Sequence, residues 1–134
     1  MTDSFVTDTH PLVFYTADAM KRLGRKARIA FDAFEAGKAT LYVPAPVVLE
    51  TWMLARAGRI RLRTTLGAWW RDLESAGLVY EPLEGADVIA ASELDWDHND
   101  LFDRLIVSTA RRLELPLITA DGAITEWGGV AVHW

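Results

Sequence analysis

Two acidic residues of this chain lie on segments that should be buried. Asp103 precedes Ile106 and Val107 by three and four residues. At helical spacing these residues share one face, so the Asp103 carboxylate should project from the buried side of a helix. Glu50 repeats the pattern between Val47 and Leu54. A buried carboxylate is costly unless it is paired or bound to a cation, so both are candidate functional residues. For Glu50 the alternative is an ion pair with an arginine elsewhere in the chain.

Two further acids follow short apolar runs that predict strands. Asp8 comes directly after Ser4–Thr7, and Asp121 directly after Leu117–Ala120. Either aspartate could simply cap the turn or helix that follows. In open α/β folds, however, ligands bind at the edge where parallel strands end. We therefore expect all four acids to meet at one edge of a parallel sheet.

Such a cluster of carboxylates repels itself and would be stabilised by a hard divalent cation. Oxygen ligands suit Mg²⁺ or Mn²⁺. A Mg²⁺ held in this way can activate a water molecule for attack on a phosphodiester and stabilise the leaving oxygen. We predict that His10 and His98 are isolated surface or capping groups rather than ligands. Asp100 is predicted first as a helix cap that pairs with Arg104, and second as an outer metal ligand.

The rest of the chain predicts the elements that would position these acids. Strands are expected at Ser4–Thr7, Thr40–Val43, Leu78–Glu81, Leu117–Ala120 and Val130–His133. Helices or helical turns are expected at Thr9–Thr16, Asp18–Glu35, Pro44–Ala57, Arg59–Ala76, Ala86–Leu94 and from His98 to about Leu113. Strands that alternate with helices predict an α/β fold in which a mainly parallel sheet is covered on both faces.

Length and composition predict one ordinary domain, residues 1–134. No segment approaches the roughly 18 consecutive apolar residues of a membrane span. The start, MTDSFVTD, lacks a basic region followed by an apolar core, so we expect a cytoplasmic protein. The chain has no cysteine, which excludes disulfides, thiolate metal sites and cysteine nucleophiles.

The net charge of −5 hides a strong segregation of charge. Five Lys or Arg residues lie in 21–28 and four in 56–63, whereas 81–103 holds eight acids and no Lys or Arg. An acidic centre flanked by basic segments suits a metal-dependent enzyme that acts on a polyanion. The alternative is that both basic runs are solvated helix faces.

Four segments, taken in order, resemble the PIN-domain nucleases, and within them the VapC-like toxins of bacterial and archaeal toxin–antitoxin pairs. They are TDTHPL (7–12), VVLETWML (47–54), HNDLFDRLIVSTA (98–110) and LPLITAD (115–121). The resemblance implies a three-layer α/β/α fold and an endoribonuclease that depends on Mg²⁺ or Mn²⁺. It places the family's acids at Asp8, Glu50, Asp103 and Asp121. Leu101 departs from the family, which often has proline there, but no metal ligand is lost.

The resemblance also implies a homodimer that is held inactive by a small antitoxin inserted into the acidic groove. Thr9 and Thr119 would be polar neighbours of the site, and Asp100 an additional acid. Trp69 and Trp70 cannot both face the core from one helix, so one is expected at the surface, at the dimer or antitoxin interface; the alternative is a partly covered surface aromatic. The candidates for contact with the RNA backbone, or with an acidic antitoxin, are Arg59, Arg61, Arg63, Lys21 and Arg25.

Several other functions compete with a toxin nuclease. A phosphoacceptor receiver domain needs a late lysine, but the last lysine is Lys38. A haloacid-dehalogenase-like phosphatase needs that lysine too, and an acid at position 10, where this chain has histidine. Two alternatives stay open: an RNA-processing PIN nuclease outside any toxin–antitoxin pair, and a non-catalytic PIN-fold module that binds RNA or protein.

Overall fold

The computed structural model describes residues 2–134, in which five parallel strands form one sheet. The spatial order of the strands is β3–β2–β1–β4–β5. Crossovers between parallel strands are right-handed, so the reversal of strand order beside β1 places helices on both faces of the sheet. The predicted α/β fold is confirmed. The strands are β1 (Asp3–Thr7), β2 (Ala39–Pro44), β3 (Val79–Glu81), β4 (Leu117–Ile118) and β5 (Val132–His133).

Helices connect these strands. After residue 79 the predicted elements are present, but the helix predicted from His98 begins at Leu101, the last two strands are two residues shorter than predicted, and Gly122–Trp127 is a helix that was not among those predicted. A single 3₁₀ turn, Met20–Arg22, precedes the second helix. The α-helices of the described part are α1 (Thr9–Thr16), α2 (Arg25–Glu35), α3 (Ala45–Arg56), α4 (Leu66–Ser75), α5 (Gly85–Ser92), α6 (Leu101–Leu113) and α7 (Gly122–Trp127).

The core lies on the two central strands and the helices packed on them. Val6 of β1 and Leu117 of β4 are opposite each other and fully buried. Ile106 and Val107 of α6 are also fully buried, as the helical spacing predicts. Asp103, one helical turn before these residues, is therefore held on a buried apolar face of α6.

The strand order reverses between β1 and β4, which are direct neighbours. Thr7 is in register with Ile118, and the Asp8 amide donates to the Ile118 carbonyl at 2.9 Å. Chains leaving these two strands diverge, which opens a crevice at the carboxyl edge of the sheet. The acids after both strands lie at this crevice.

The predicted helix from Asp18 to Glu35 begins too early. Asp18 is not its cap: its φ of 55° is left-handed, and its carboxylate binds Arg63 at 3.0 Å. The chain then makes the 3₁₀ turn and enters α2 after Gly24. Two local turns therefore replace the first helical turns that the apolar spacing predicted.

The predicted helix from Arg59 to Ala76 is also too long, because residues 59–65 are irregular. The Thr65 hydroxyl accepts from the Ala68 amide and starts α4. Upstream, the Arg63 guanidinium donates to the Ala17 carbonyl, which ties the segment to the end of α1. The basic residues of this segment lie on a loop rather than on a helix face.

The two adjacent tryptophans differ in burial, and Trp70 matches the alternative of a partly covered aromatic rather than a fully exposed one. Trp69 is buried and donates through Nε1 to the Thr16 hydroxyl at 3.0 Å. Trp70 is half-buried and meets the Tyr80 ring edge-on. No helix within residues 2–134 is both long and apolar enough to cross a membrane.

Candidate functional site

Asp8 is the most rigidly held acid of the crevice. It is 8% exposed, and both of its carboxylate oxygens accept hydrogen bonds. Oδ1 accepts from the Thr9 amide at 2.8 Å, and Oδ2 from the Thr119 hydroxyl at 2.7 Å. Burial raises the pKa of Asp8 in spite of these bonds, and Asp121 raises it further. Asp8 thus caps α1, which was the alternative to a functional role. It also belongs to the acidic group, which consists of Asp8, Glu50, Asp103 and Asp121.

Asp121 faces Asp8 from the end of the neighbouring strand. Its Oδ1 accepts from the Ile124 amide at 2.9 Å and caps α7. The Thr119 hydroxyl joins the two acids, because it donates to Asp8 and accepts from the Asp121 amide at 3.0 Å. Within the described residues the other oxygen of Asp121 accepts no hydrogen bond.

Asp103 enters from the first turn of α6 and is 9% exposed. Asp100 caps this helix through the Asp103 amide at 3.0 Å. Burial raises the pKa of Asp103 to about 7, although His98 lies in hydrogen-bond contact with its carboxylate. The nearby charges of Asp8, Asp100 and Asp121 act in the same direction as burial. No lysine or arginine of the described chain therefore pairs with the Asp103 carboxylate.

Glu50 completes the group from α3. It is half-buried, and burial raises its pKa, with further contributions from Asp8 and Asp100. No ion pair joins Glu50 to a cation of the described chain, so the expected alternative of a pairing arginine is wrong. The Thr9 side chain lies beside Glu50 and acts to lower the pKa of that residue, but the buried Thr9 hydroxyl lies outside ordinary hydrogen-bond geometry to any group of residues 2–134. This corner of the crevice offers oxygen atoms that the protein does not satisfy.

Two predictions about neighbouring residues are wrong. His98 is not isolated, because its Nε2 lies 2.8 Å from Oδ2 of Asp103. Its position five residues before an acid on an apolar face was the available sequence signal. Arg104 does not pair with Asp100: its guanidinium donates to the carbonyls of Leu94, Trp96, His98 and Ala91. His10 is exposed, as predicted.

The five basic residues predicted to contact RNA make no polar contact with the acids within residues 2–134. All five are exposed, and Arg63 alone among them forms an ion pair in the described part of the chain, with Asp18. No hydrogen bond or ion pair of residues 2–134 joins one of them to the acidic group. Their proposed role in RNA binding stays a prediction. They are Arg59, Arg61, Arg63, Lys21 and Arg25.

The donor chemistry of the crevice fits a hard divalent cation. Each available atom is a carboxylate or hydroxyl oxygen, which Mg²⁺ and Mn²⁺ prefer. Oδ1 of Asp103 and one oxygen of Asp121 carry no hydrogen bond from the described chain, and the Thr9 hydroxyl is unsatisfied. As placed, no three acidic, His or Cys side chains within residues 2–134 form a set able to hold one ion. The residues have the oxygen atoms that Mg²⁺ or Mn²⁺ prefers, but their side chains are not arranged as a preformed binding site.

Comparison with known proteins gives a family and two structural neighbours. The family model of the PIN domain matches residues 5–129. VapBC2 from Rickettsia felis, bound to a DNA fragment from its promoter, has a chain 13% identical with a TM-score of 0.68, covering 97% of each chain. Mycobacterium tuberculosis VapC20, described as a sarcin–ricin loop cleaving toxin, is 18% identical with a TM-score of 0.62, covering 98% of this chain and 100% of that one. A search of curated proteins gives no significant match.

Proposed function

Because the chain belongs to the PIN-domain family, we propose that it is an endoribonuclease dependent on Mg²⁺ or Mn²⁺. The proposal rests on one observation above all: acids from four elements meet at the switch point of the sheet, and no Lys or Arg of the described chain pairs with them. Such a group of charges needs an external cation. The proposed ligands are Asp8, Glu50, Asp103 and Asp121, with Asp100 as an outer acid.

The four acids would contribute differently to catalysis. Asp8, fixed by two hydrogen bonds, would hold the geometry of the site, while Asp103, Asp121 and Glu50 present free oxygens. Thr119 would keep Asp8 and Asp121 at a constant separation, since its hydroxyl bonds both residues. A bound Mg²⁺ or Mn²⁺ would activate water for attack on a phosphodiester and stabilise charge on the leaving oxygen.

We further propose that the chain is the toxin of a toxin–antitoxin pair and acts on cytoplasmic RNA. The fold shared with VapBC2 and VapC20 supports this, as do the four resembling segments. An antitoxin would block the acidic crevice, and the exposed arginines at 59–63 would contact its acids or the RNA backbone.

A homodimer is proposed as well, with the apolar surface of α3 as its interface. Leu49, Trp52 and Met53 are about half exposed on this helix, and Tyr80 of the edge strand is similarly exposed. Contiguous apolar surface of this kind marks protein interfaces. Sedimentation of the purified chain tests the proposal, and a monomer at micromolar concentration would contradict it.

The nuclease proposal is tested by cleavage of structured and single-stranded RNA by antitoxin-free protein, with Mg²⁺, with Mn²⁺ and with EDTA. We expect cleavage that depends on the metal and that Asp103→Asn abolishes, a loss on the order of a hundredfold or more. The isosteric amide removes the charge without leaving a cavity, so the variant should fold.

Asp72→Asn is the matched control, because Asp72 is exposed on α4 and the exchange of atoms is the same. It should cleave like the wild type. Equal activity of Asp103→Asn would contradict the assignment. An inactive wild type that still binds Mn²⁺ would indicate a narrow RNA target, whereas a wild type that binds no metal would favour the non-catalytic binding module.

A further inference from the structure

His98 contacts the acidic group more closely than any other residue outside it except the two threonines. Its Nε2 lies 2.8 Å from Oδ2 of Asp103, with the side chains 25% and 12% exposed. Oδ1 of the same carboxylate accepts no hydrogen bond from the described chain. The histidine therefore engages one oxygen of Asp103 and leaves the other available.

The His98 ring is itself held in place by aromatic stacking. It stacks on Trp96, with ring centroids 4.4 Å apart and an angle of 25° between the planes. Trp96 stacks in turn on Trp127, at 4.6 Å and 15°. The Trp127 indole donates to the Asp95 carbonyl at 2.9 Å, which fixes the outer end of the stack.

The backbone around His98 is braced by α6. Nη1 of Arg104 donates to the Trp96 carbonyl at 2.7 Å and to the His98 carbonyl at 2.9 Å. Its Nε and Nη2 donate to the carbonyls of Ala91 and Leu94. Residues 93–100 form neither helix nor strand, so these bonds replace regular structure. Because Arg104 follows Asp103 directly, one helix carries both the acid and the brace for the residue that contacts it.

We propose that His98 is a positioning residue that orients Asp103 for a divalent cation. In this role Nε2 carries the proton and donates to Oδ2, so that Oδ1 is directed to the cation. The inference rests on the proposed function. Hydrogen bonds to a ligating side chain fix its orientation, and losing such a partner costs about 10- to 100-fold in metal affinity or activity.

The opposite role for His98 predicts the opposite result. If the histidine merely occupied Asp103 until a cation displaced it, its removal would strengthen metal binding. The braced loop argues against this, because four carbonyl contacts and two stacked rings hold His98 where it is. A displaceable group would not need so rigid a support.

The test is calorimetric titration of the full chain with Mn²⁺ alone. His98→Ala should bind Mn²⁺ about 10- to 100-fold more weakly than the wild type. His98→Gln should recover part of this loss, because its amide nitrogen can reach the position of Nε2, whereas the shorter His98→Asn should not. At saturating Mn²⁺ the RNA KM of His98→Ala should equal that of the wild type.

His10→Ala is the matched control, because His10 is exposed near the acids without a hydrogen bond to them. Its Mn²⁺ affinity should not change. Unchanged or tighter Mn²⁺ binding by both His98→Ala and His98→Gln would overturn the inference while leaving the nuclease intact. A wild type that binds no Mn²⁺ would overturn the proposed function, and this inference with it. Circular dichroism of each variant separates these results from unfolding, and His98→Gln keeps the test valid if the alanine variant unfolds.

Discussion

Asp87 and Asp103 are both buried aspartates, but the chain treats them in opposite ways. Asp87, 2% exposed, receives two hydrogen bonds from Arg112, at 2.6 and 3.1 Å. The same guanidinium pairs with Glu81 at 2.9 Å. Burial alone would raise the pKa of Asp87, but the bonds and charge of Arg112 and the Glu84 amide together outweigh it and lower the pKa. This carboxylate has its cation built into the fold.

Asp103 has no such cation. Its protein partner is His98, and burial raises its pKa to about 7. Helix α6 carries both cases, with Asp103 in its first turn and Arg112 in its last. The helix dipole favours both placements equally, so it does not explain the difference. A buried acid that the chain itself neutralises is structural, and one that it leaves unneutralised is a candidate binding site.

Removing the built-in cation should give the largest loss of stability. Arg112→Met keeps the aliphatic packing but leaves Asp87 buried without its partner. Breaking a fully buried pair costs about 3–5 kcal/mol, and the 35% exposure of the Arg112 side chain reduces the expected loss to about 2–3 kcal/mol. Urea denaturation followed by circular dichroism measures it.

Arg111→Met is the matched control for that experiment. Arg111 is exposed, packs on Trp127 and donates to the Gly129 carbonyl, so its loss should cost less than about 1 kcal/mol. Equal effects of the two substitutions would contradict the distinction between a built-in cation and a surface one. Neither change should alter cleavage per folded molecule.

A second effect is expected from the pH dependence of the metal-free protein. The pKa of Asp103 is raised in the folded state, so the native protein binds more protons than the unfolded chain between its ordinary pKa and about pH 7. The free energy of unfolding should therefore fall as pH rises through that window. Asp103→Asn removes this contribution, so its stability relative to the wild type in EDTA should increase from pH 5 to pH 8.

Denaturant midpoints of the two proteins at both pH values test this expectation. Groups remote from Asp103 titrate alike in both proteins, so the difference between them reports Asp103 together with the acids and His98 that interact with it. A difference in stability that stays constant with pH would show that the pKa of Asp103 is not raised in the folded protein. Saturating Mn²⁺ should stabilise the wild type and abolish its disadvantage at pH 8.

The sequence placed the acids and, through the family resemblance, the neighbouring Thr9 and Thr119, but it did not predict the contacts around Asp103. Asp103 and Glu50 were identifiable because helical spacing alone places them among apolar residues. Convergence with Asp8 and Asp121 followed from the rule that parallel strands end at one edge. The contact of His98 had only a weak sequence signal, its position five residues before Asp103, because the contact depends on how Arg104 and stacked tryptophans fold an irregular loop. The overlong helices at 18–35 and 59–76 have a similar cause: a left-handed residue and a threonine cap broke the apolar periodicity locally.

The smallest change in stability is expected at a third kind of carboxylate, one paired with arginine in full contact with water. Asp18 and Arg63 lie 3.0 Å apart with side chains 80% and 65% exposed. Exposed pairs contribute about 0–1 kcal/mol, so Arg63→Ala should barely alter the free energy of unfolding.

If Arg63 contacts RNA, however, its loss should weaken RNA binding and reduce the salt dependence of log K by about 0.7 for a single-stranded ligand. Binding is measured in the Asp103→Asn background, which leaves the RNA uncut. Asp18→Asn, which frees the guanidinium, should not weaken binding. An unchanged salt dependence in Arg63→Ala would mean that this arginine is a solvated surface charge.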